Sequence, residues 1–280
     1  MYSTRILKDS LAPCGKRLTT WELTYPRFVH AELMTHRLFS RNSASSRAIP
    51  IEKLMARIRE DPALPIFWGK NQAGMQAAEE MDVIDLIEAK RLWLDARNQM
   101  LEAAERLGKL GLHKQLANRL IEPWMFITVL VSATEYSNWF HLRNHKAAQP
   151  EIAWVAKDMW THFNESKPRE LGPTEWHLPL FDEVTEMSLV NFSTEKAKKV
   201  STGRCARVSY LTHEGKRDVE KDIELHDKLC SGPSSGEPGH WSPFEHVALA
   251  LAEPTRIGNF IGWKQYRKEF ETEHFGGSMP

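Results

Sequence analysis

Between Thr35 and Arg47 the chain reads Thr-His-Arg-Leu-Phe-Ser-Arg-Asn-Ser-Ala-Ser-Ser-Arg, and this run restricts the fold more than any other. Arginines, a histidine, hydroxyls and an amide crowd one short stretch at the end of an apolar segment. Hydrogen-bond donors buried without partners cost about 1–3 kcal/mol each, so a fold must either pair them internally or bring a ligand to them. A phosphorylated, planar, polar ligand satisfies such a set. Guanidinium groups match phosphate, while hydroxyls and an amide match ring edges.

Charge narrows the partners. The 280 residues carry 37 basic and 37 acidic side chains. A balanced chain has no long-range field to collect nucleic acid or coat a membrane, so neither is expected as a partner. No apolar stretch is long enough to span a bilayer, and residues 1–5 lack the apolar run of a secretory signal. Cys14, Cys205 and Cys230 are far apart and odd in number. They read as reduced thiols, which with the missing signal predicts a cytoplasmic protein. No Cys-x-x-Cys pair exists, and His240 and His246 lack a third ligand at helical spacing, so no metal site is expected. Ten tryptophans point to large buried surfaces or interfaces.

Residues 17–25 alternate and are β-prone, which predicts a strand ending at Pro26. The pattern then predicts a helix over 28–39 and a polar loop over 40–50. A long helix is expected over 73–107 with Gly108 as its stop, and another over 113–121. Residues 124–133 are nearly all apolar, compatible with helix or strand. Continuation of the pattern through Tyr136, Trp139, Phe140 and Leu142 favours helix. A helix follows over 150–163. Pro168, Pro173 and Pro179 mark a connector over 164–192. Beyond it, helices are expected over 194–211 and 218–229, a flexible loop over 231–239, a strand over 247–251 and a helix over 257–270.

The segment His36-Arg37-x-x-Ser40-x-Asn42-x-x-Ser45-x-Arg47 resembles the signature of the flavin-dependent thymidylate synthases, Arg-His-Arg-x-x-Ser-x-Asn-Glu-x-Ser-x-Arg-Tyr. Asn118-Arg119-Leu120-Ile121-Glu122-Pro123 is similar to that family's Ala-Arg-x-x-Leu-Pro. Asn138-Trp139-Phe140-His141-Leu142-Arg143, with Ala148-Gln149-Pro150-Glu151-Ile152 after it, is similar to Asn-Phe-Leu-x-Leu-Arg and Ala-Gln-x-Glu-Ile. Ala206-Arg207-Val208-Ser209-Tyr210 and His240-x-Ser242-Pro243-Phe244-Glu245-His246 resemble its opening motifs. In the family those two come first; here they come last. The order reads as a circular permutation or a rearranged duplication, which leaves site residues in place when the old termini lie close together.

The resemblance implies an α/β fold with a mixed sheet and long helices. It implies one composite domain over 1–280, with a signature half at 17–163, the connector at 164–192 and a second half at 193–280. It implies a homotetramer whose sites draw on several subunits. The reaction implied transfers a one-carbon unit from methylenetetrahydrofolate to C5 of dUMP, with FAD and NADPH. Ser45 and Arg47 would hold the phosphate of the pyrimidine deoxynucleotide, with Arg119 as a further phosphate or sugar contact. Arg143 would face the base and stabilise charge developing on the ring. His36, Arg37, Ser40, Asn42, Asn138 and Ser242 would contact the flavin. No cysteine nucleophile is required.

Some positions depart from the pattern. Thr35 stands for its first arginine, Ser43 for its glutamate, Ala48 for its tyrosine, and Ser132-Ala133-Thr134 for an Asn-Ala-Arg that helps hold flavin. A charge-assisted contact is worth roughly 1.5–3 kcal/mol, so the departures weigh on the flavin more than on the nucleotide. They leave open a variant C5 modification, such as hydroxymethylation or a dCMP substrate, and a non-catalytic nucleotide-binding homologue. Taken singly, 40–47 is a polar loop, and Arg119 and Arg143 are helix-end ion-pair residues. Only the combination lifts the reading above these.

Overall fold

A computed structural model describes residues 1–182, 193–210, 218–231 and 240–270. The chain begins with a hairpin, β1 (Ser3–Leu11) and β2 (Arg17–Pro26), then α1 (His30–Met34) and the short strand β3 (Ser40–Ser43). Next come α2 (Ile51–Glu60), the long α3 (Val83–Lys109) and a single turn α4 (Lys114–Ala117), which runs into a 3-10 helix, Asn118–Trp124. Strand β4 (Phe126–Ala133) leads to α5 (Ser137–Arg143) and α6 (Pro150–Glu165). After the short strands β5 (Arg169–Glu170) and β6 (Trp176–His177) come α7 (Thr194–Tyr210) and α8 (Val219–Ser231). The described chain ends with β7 (Ala248–Ala250), β8 (Arg256–Ile257), β9 (Phe260–Ile261), β10 (Trp263–Gln265) and a 3-10 turn, Tyr266–Glu269.

The fold is mixed α/β. The main sheet has the order β3-β4-β2-β1-β5, antiparallel except for the parallel β1/β5 edge. One face packs on α5 and α6. Trp21, Leu23 and Tyr25 of β2 and Ile127, Val129, Val131 and Ala133 of β4 meet Trp139, Phe140, Ile152, Val155 and Met159 there. On the other face Leu130 packs with Cys205 and Val208 of α7. The C-terminal elements therefore lie directly on the sheet built by the first part of the chain.

This arrangement corrects the helix expected over 124–133. Both faces of β4 are largely buried, so apolar residues fall on both, interrupted by Thr128 and Ser132, and the two-residue alternation is blurred. The β-branched Ile127, Thr128, Val129 and Val131 are what mark it as a strand. The helix expected over 257–270 is also replaced, by the β8/β9 hairpin, β10 and a 3-10 turn. Gly258 and Gly262 sit at φ +61° and +74°, which permits the hairpin turn and the bend into β10.

Elsewhere the differences are of extent. The helix over 28–39 is a 3-10 turn, Arg27–Val29, plus α1. It stops where Thr35 Oγ1 donates back to the Glu32 carbonyl at 2.7 Å. The loop over 40–50 contains β3, paired to β4 with Ser40 opposite Ser132, and a 3-10 turn, Ser46–Ala48. Helix α3 starts at Val83 rather than residue 73, and α2 falls in a stretch to which the sequence reading assigned nothing. The connector holds β5 and β6, while 183–192 lie outside the described residues, as do 232–239 of the expected loop. Among the described residues, no helix is long and apolar enough to cross a membrane.

Candidate active site

Helix α5 ends in Arg143, where a cation meets the negative end of the helix dipole. Its guanidinium is almost fully engaged. It pairs with the Glu32 carboxylate, and its Nη2 donates to the Glu32 carbonyl (3.2 Å) and to Thr35 Oγ1 (3.1 Å). Its Nε donates to His36 Nε2 at 3.1 Å. His36 is buried, stacks on Phe39 and meets the edge of Trp139. An imidazole nitrogen that accepts from a guanidinium must be unprotonated, so His36 is neutral. Burial, then the charges of Arg143 and Arg41, push its pKa down to about 4.

Arg143 and Glu32 open onto a cleft of about 840 Å³, with Lys146 and Gln149 on the same side. Its far wall is a strap over 65–77. Glu151 at the start of α6 accepts from the Ile66 N–H (2.9 Å), and Gln76 Nε2 donates to the Ala147 carbonyl (2.9 Å). Sequence reasoning gave no role to Glu32 or to the strap. Glu32 stands four residues before His36, but α1 ends at Met34, so the two meet through Arg143 rather than on one helical face. The strap has no periodicity to reveal it.

Ser45 and Arg47 flank Ser46 in a turn that is joined to Arg119 through Glu122. Ser45 precedes the Ser46–Ala48 turn, and Arg47 is exposed with no ion-pair partner among the described residues. Ser46 Oγ donates to Glu122 Oε1 at 2.6 Å, and Arg119 Nη1 donates to the same oxygen at 2.8 Å. Arg27 faces the other carboxylate oxygen at 3.8 Å.

A third group forms where the C-terminal motifs cover β3. Ser40 Oγ accepts from Gln265 Nε2 (2.8 Å) and Asn259 Nδ2 (3.4 Å). Asn42 Nδ2 donates to the Cys205 carbonyl (2.7 Å), and Ser242 Oγ donates to Asn42 Oδ1 (3.4 Å). Ser40 and Asn42 are buried, Ser242 is half-buried, and Arg37 and Asn138 are exposed. Thus Ser40, Asn42 and Ser242 come together, as do His36 and Arg143, while Arg37 and Asn138 hydrogen-bond to neither group among the described residues.

The remaining motif residues are held inside the chain. Arg204 and Arg207 both donate to Asp222 of α8, which is 1% exposed. Glu245 pairs with Arg267. His246 is fully buried, with Nδ1 2.8 Å from Ser132 Oγ, and burial pushes its pKa down to about 3. Ser132 also meets Thr20, and Thr134 Oγ1 accepts from the Ile261 N–H. Burial raises the thiols of Cys205 and Cys230, the latter to about 12, so neither is a ready nucleophile. Among the described residues no group of three or more His, Cys, Asp or Glu is arranged to hold a metal ion.

The family model for Thy1, thymidylate synthase complementing protein, matches residues 17–169, more than half of the chain. The chain belongs to the Thy1 family, the flavin-dependent thymidylate synthases. It is an enzyme of that methyltransferase family. Two solved structures similar to it are of a UMP/dUMP methylase, PolB, from Streptomyces cacaoi. The one with 5-Br dUMP is 14% identical, with a TM-score of 0.46 over 59% of this chain and 91% of that one. The one with 5-Br UMP is 15% identical, with a TM-score of 0.48 over 59% and 89%. No curated protein matches the chain.

Proposed function

We propose that this Thy1 enzyme transfers a one-carbon unit from methylenetetrahydrofolate to C5 of dUMP, with NADPH as reductant and FAD as cofactor. The observation that carries the reading is Arg143, fixed by Glu32, Thr35 and His36 on the rim of a cleft large enough for a mononucleotide. A guanidinium that needs no reorganisation suits charge developing on a pyrimidine ring. Neutral His36 holds Arg143 Nε without competing for its charge. Ser45, Arg47 and Arg119 are not among the residues lining that cleft in one chain; those of a neighbouring subunit of the proposed homotetramer take the phosphate. Among the described residues Arg47 has no ion-pair partner and Arg119 spends only Nη1, which suits that ligand.

The donor set fits a flavin in part. Arg37 and Asn138 are exposed and lack partners among the described residues, which suits a diphosphate and a polyol chain. Ser242, half-buried, and His36, through its remaining ring nitrogen, would add to those contacts. Ser40 and Asn42 have their polar groups engaged beneath that surface and support it. A bound reduced flavin supplies hydride. The protein's own task is to orient it, hold the nucleotide and exclude water.

The composite domain in permuted order, 17–163 with 193–280, is supported by the packing of α7 and 242–265 on β3 and β4. A homotetramer is supported by the resemblance and by Val83, Ile84 and Ile87 of α3, which are 72%, 82% and 64% exposed. A cytoplasmic location fits the balanced charge and free thiols. A variant C5 product or a dCMP substrate is the second reading. It is favoured by Thr35 and Thr134, whose hydroxyls serve Arg143 and the Ile261 N–H where the family pattern has arginines.

The test is spectroscopic. The purified protein carries flavin absorbance and oxidises NADPH faster when dUMP is added. Protein that takes up no FAD sinks the reading. Nucleotide binding without turnover selects the non-catalytic homologue.

A further inference from the structure

Residues 45–49 carry two of the groups read above as phosphate ligands. The backbone of this turn is tied down on its inner side by side chains from 114–122. Lys114 Nζ donates to the Ala48 carbonyl at 3.1 Å. Asn118 is fully buried and spends Nδ2 on two carbonyls, those of Ser46 (2.7 Å) and Ile49 (3.0 Å), which bracket the turn. Its Oδ1 is buried without a hydrogen-bond partner among the described residues. A bare amide oxygen is a cost, and it accompanies a residue whose single nitrogen donates twice. One turn later, Glu122 accepts from Ser46 Oγ and from Arg119 Nη1, while Arg27 offsets its charge.

The family pattern quoted above, Ala-Arg-x-x-Leu-Pro, has apolar residues where this chain has Asn118 and Glu122. Both differences reach the same turn, the turn in which Ala48 replaces the pattern's tyrosine. We infer that Asn118 and Glu122 are positioning residues that hold the 45–49 turn and the Arg119 guanidinium in register for the nucleotide's phosphate. The inference rests on the phosphate reading given under Proposed function. Asn118 fixes the backbone that carries Ser45 and Arg47. Glu122 orients Arg119, leaving its other N–H groups for the ligand. The phosphate is remote from the reacting carbon, so the effect falls on binding and KM rather than on kcat.

The experiment titrates the full-length protein calorimetrically with dUMP and, separately, with deoxyuridine. The parent binds dUMP more tightly than deoxyuridine. Asn118→Ala weakens dUMP about tenfold and leaves deoxyuridine within about twofold. Glu122→Gln keeps an acceptor for Ser46 but loosens Arg119, and weakens dUMP about three- to tenfold with the same selectivity. If Asn118→Ala fails to fold, the Glu122→Gln titration decides alone. A parent that prefers dUMP, with variants that bind it equally well, overturns the inference and leaves the phosphate reading standing. Equal weakening of both ligands also overturns it, because general loosening is not phosphate positioning. A parent that does not distinguish dUMP from deoxyuridine removes the phosphate reading itself, and the inference with it.

Discussion

Arg143 donates its Nε–H to Nε2 of His36 at 3.1 Å, which fixes the imidazole as a neutral ring with its proton on Nδ1. That tautomer links the end of α5 to the turn after α1. It also makes the site sensitive to acid, because a protonated His36 would face a guanidinium.

The pH dependence follows with a definite sign. Folding pushes His36 from 6.5 down to about 4, and His30 and His246 to about 4 and about 3, burial being the first cause each time. Between these values the unfolded chain binds protons that the folded chain refuses, so stability falls as pH drops through that window. Urea midpoints measured from about pH 7 to about pH 4.5 should decline steadily. A flat profile contradicts the buried neutral histidines.

Arg143→Ala should lower kcat/KM for the nucleotide by about 10²-fold or more, the scale of a lost transition-state donor. Arg57→Ala, an exposed change on α2, should stay within about twofold. Steady-state kinetics on both variants check this, and equal small effects remove Arg143 from its role.

Asp9 staples the first hairpin to the end of α6. It accepts from Arg17 Nε (2.9 Å) and Nη2 (2.6 Å), Thr19 Oγ1 (3.0 Å) and Ser166 Oγ (2.6 Å), with its side chain 5% exposed. Asp9→Ala takes the carboxylate from the Arg17 guanidinium, leaving it the Phe163 carbonyl (2.9 Å), and should cost about 1.5–3 kcal/mol in chemical denaturation. A loss below about 1 kcal/mol would show that Arg17 finds water or another partner.

Gly203 marks the close crossing of α7 and α8. A Cβ there would lie 2.2 Å from the Asp222 carbonyl oxygen, which is backbone and has little room to yield. Gly203→Ala should destabilise by about 1–3 kcal/mol or more. It should also loosen the Arg204 and Arg207 bonds to Asp222. An unchanged thermal midpoint would mean the helices can part freely.

Much of this was legible in residue order, and what was not has physical causes. Strand β2 and helix α6 follow from simple alternation and helical spacing, because each shows one face to the core. Strand β4 hid because its two faces are both largely buried, which blurs the period. The segment 257–270 hid because its conformation depends on Gly258 and Gly262 at positive φ rather than on apolar spacing. In the site, His36 and Arg143 were recognisable as motif residues, but their hydrogen bond and the part played by Glu32 depend on how α1 meets α5. The burial of Ser40 and Asn42 under Gln265, Asn259 and Cys205 joins stretches far apart in sequence, and no local signal predicts it.

This Thy1 enzyme is expected to carry out C5 chemistry on a deoxyuridine nucleotide. Mass spectrometry of dUMP incubated with the purified protein, FAD, NADPH and methylenetetrahydrofolate tests it most directly. The expected product is dTMP, formed only when flavin is present and about 10²-fold or more slower in Arg143→Ala. Recovery of unaltered dUMP from flavin-loaded protein would contradict it.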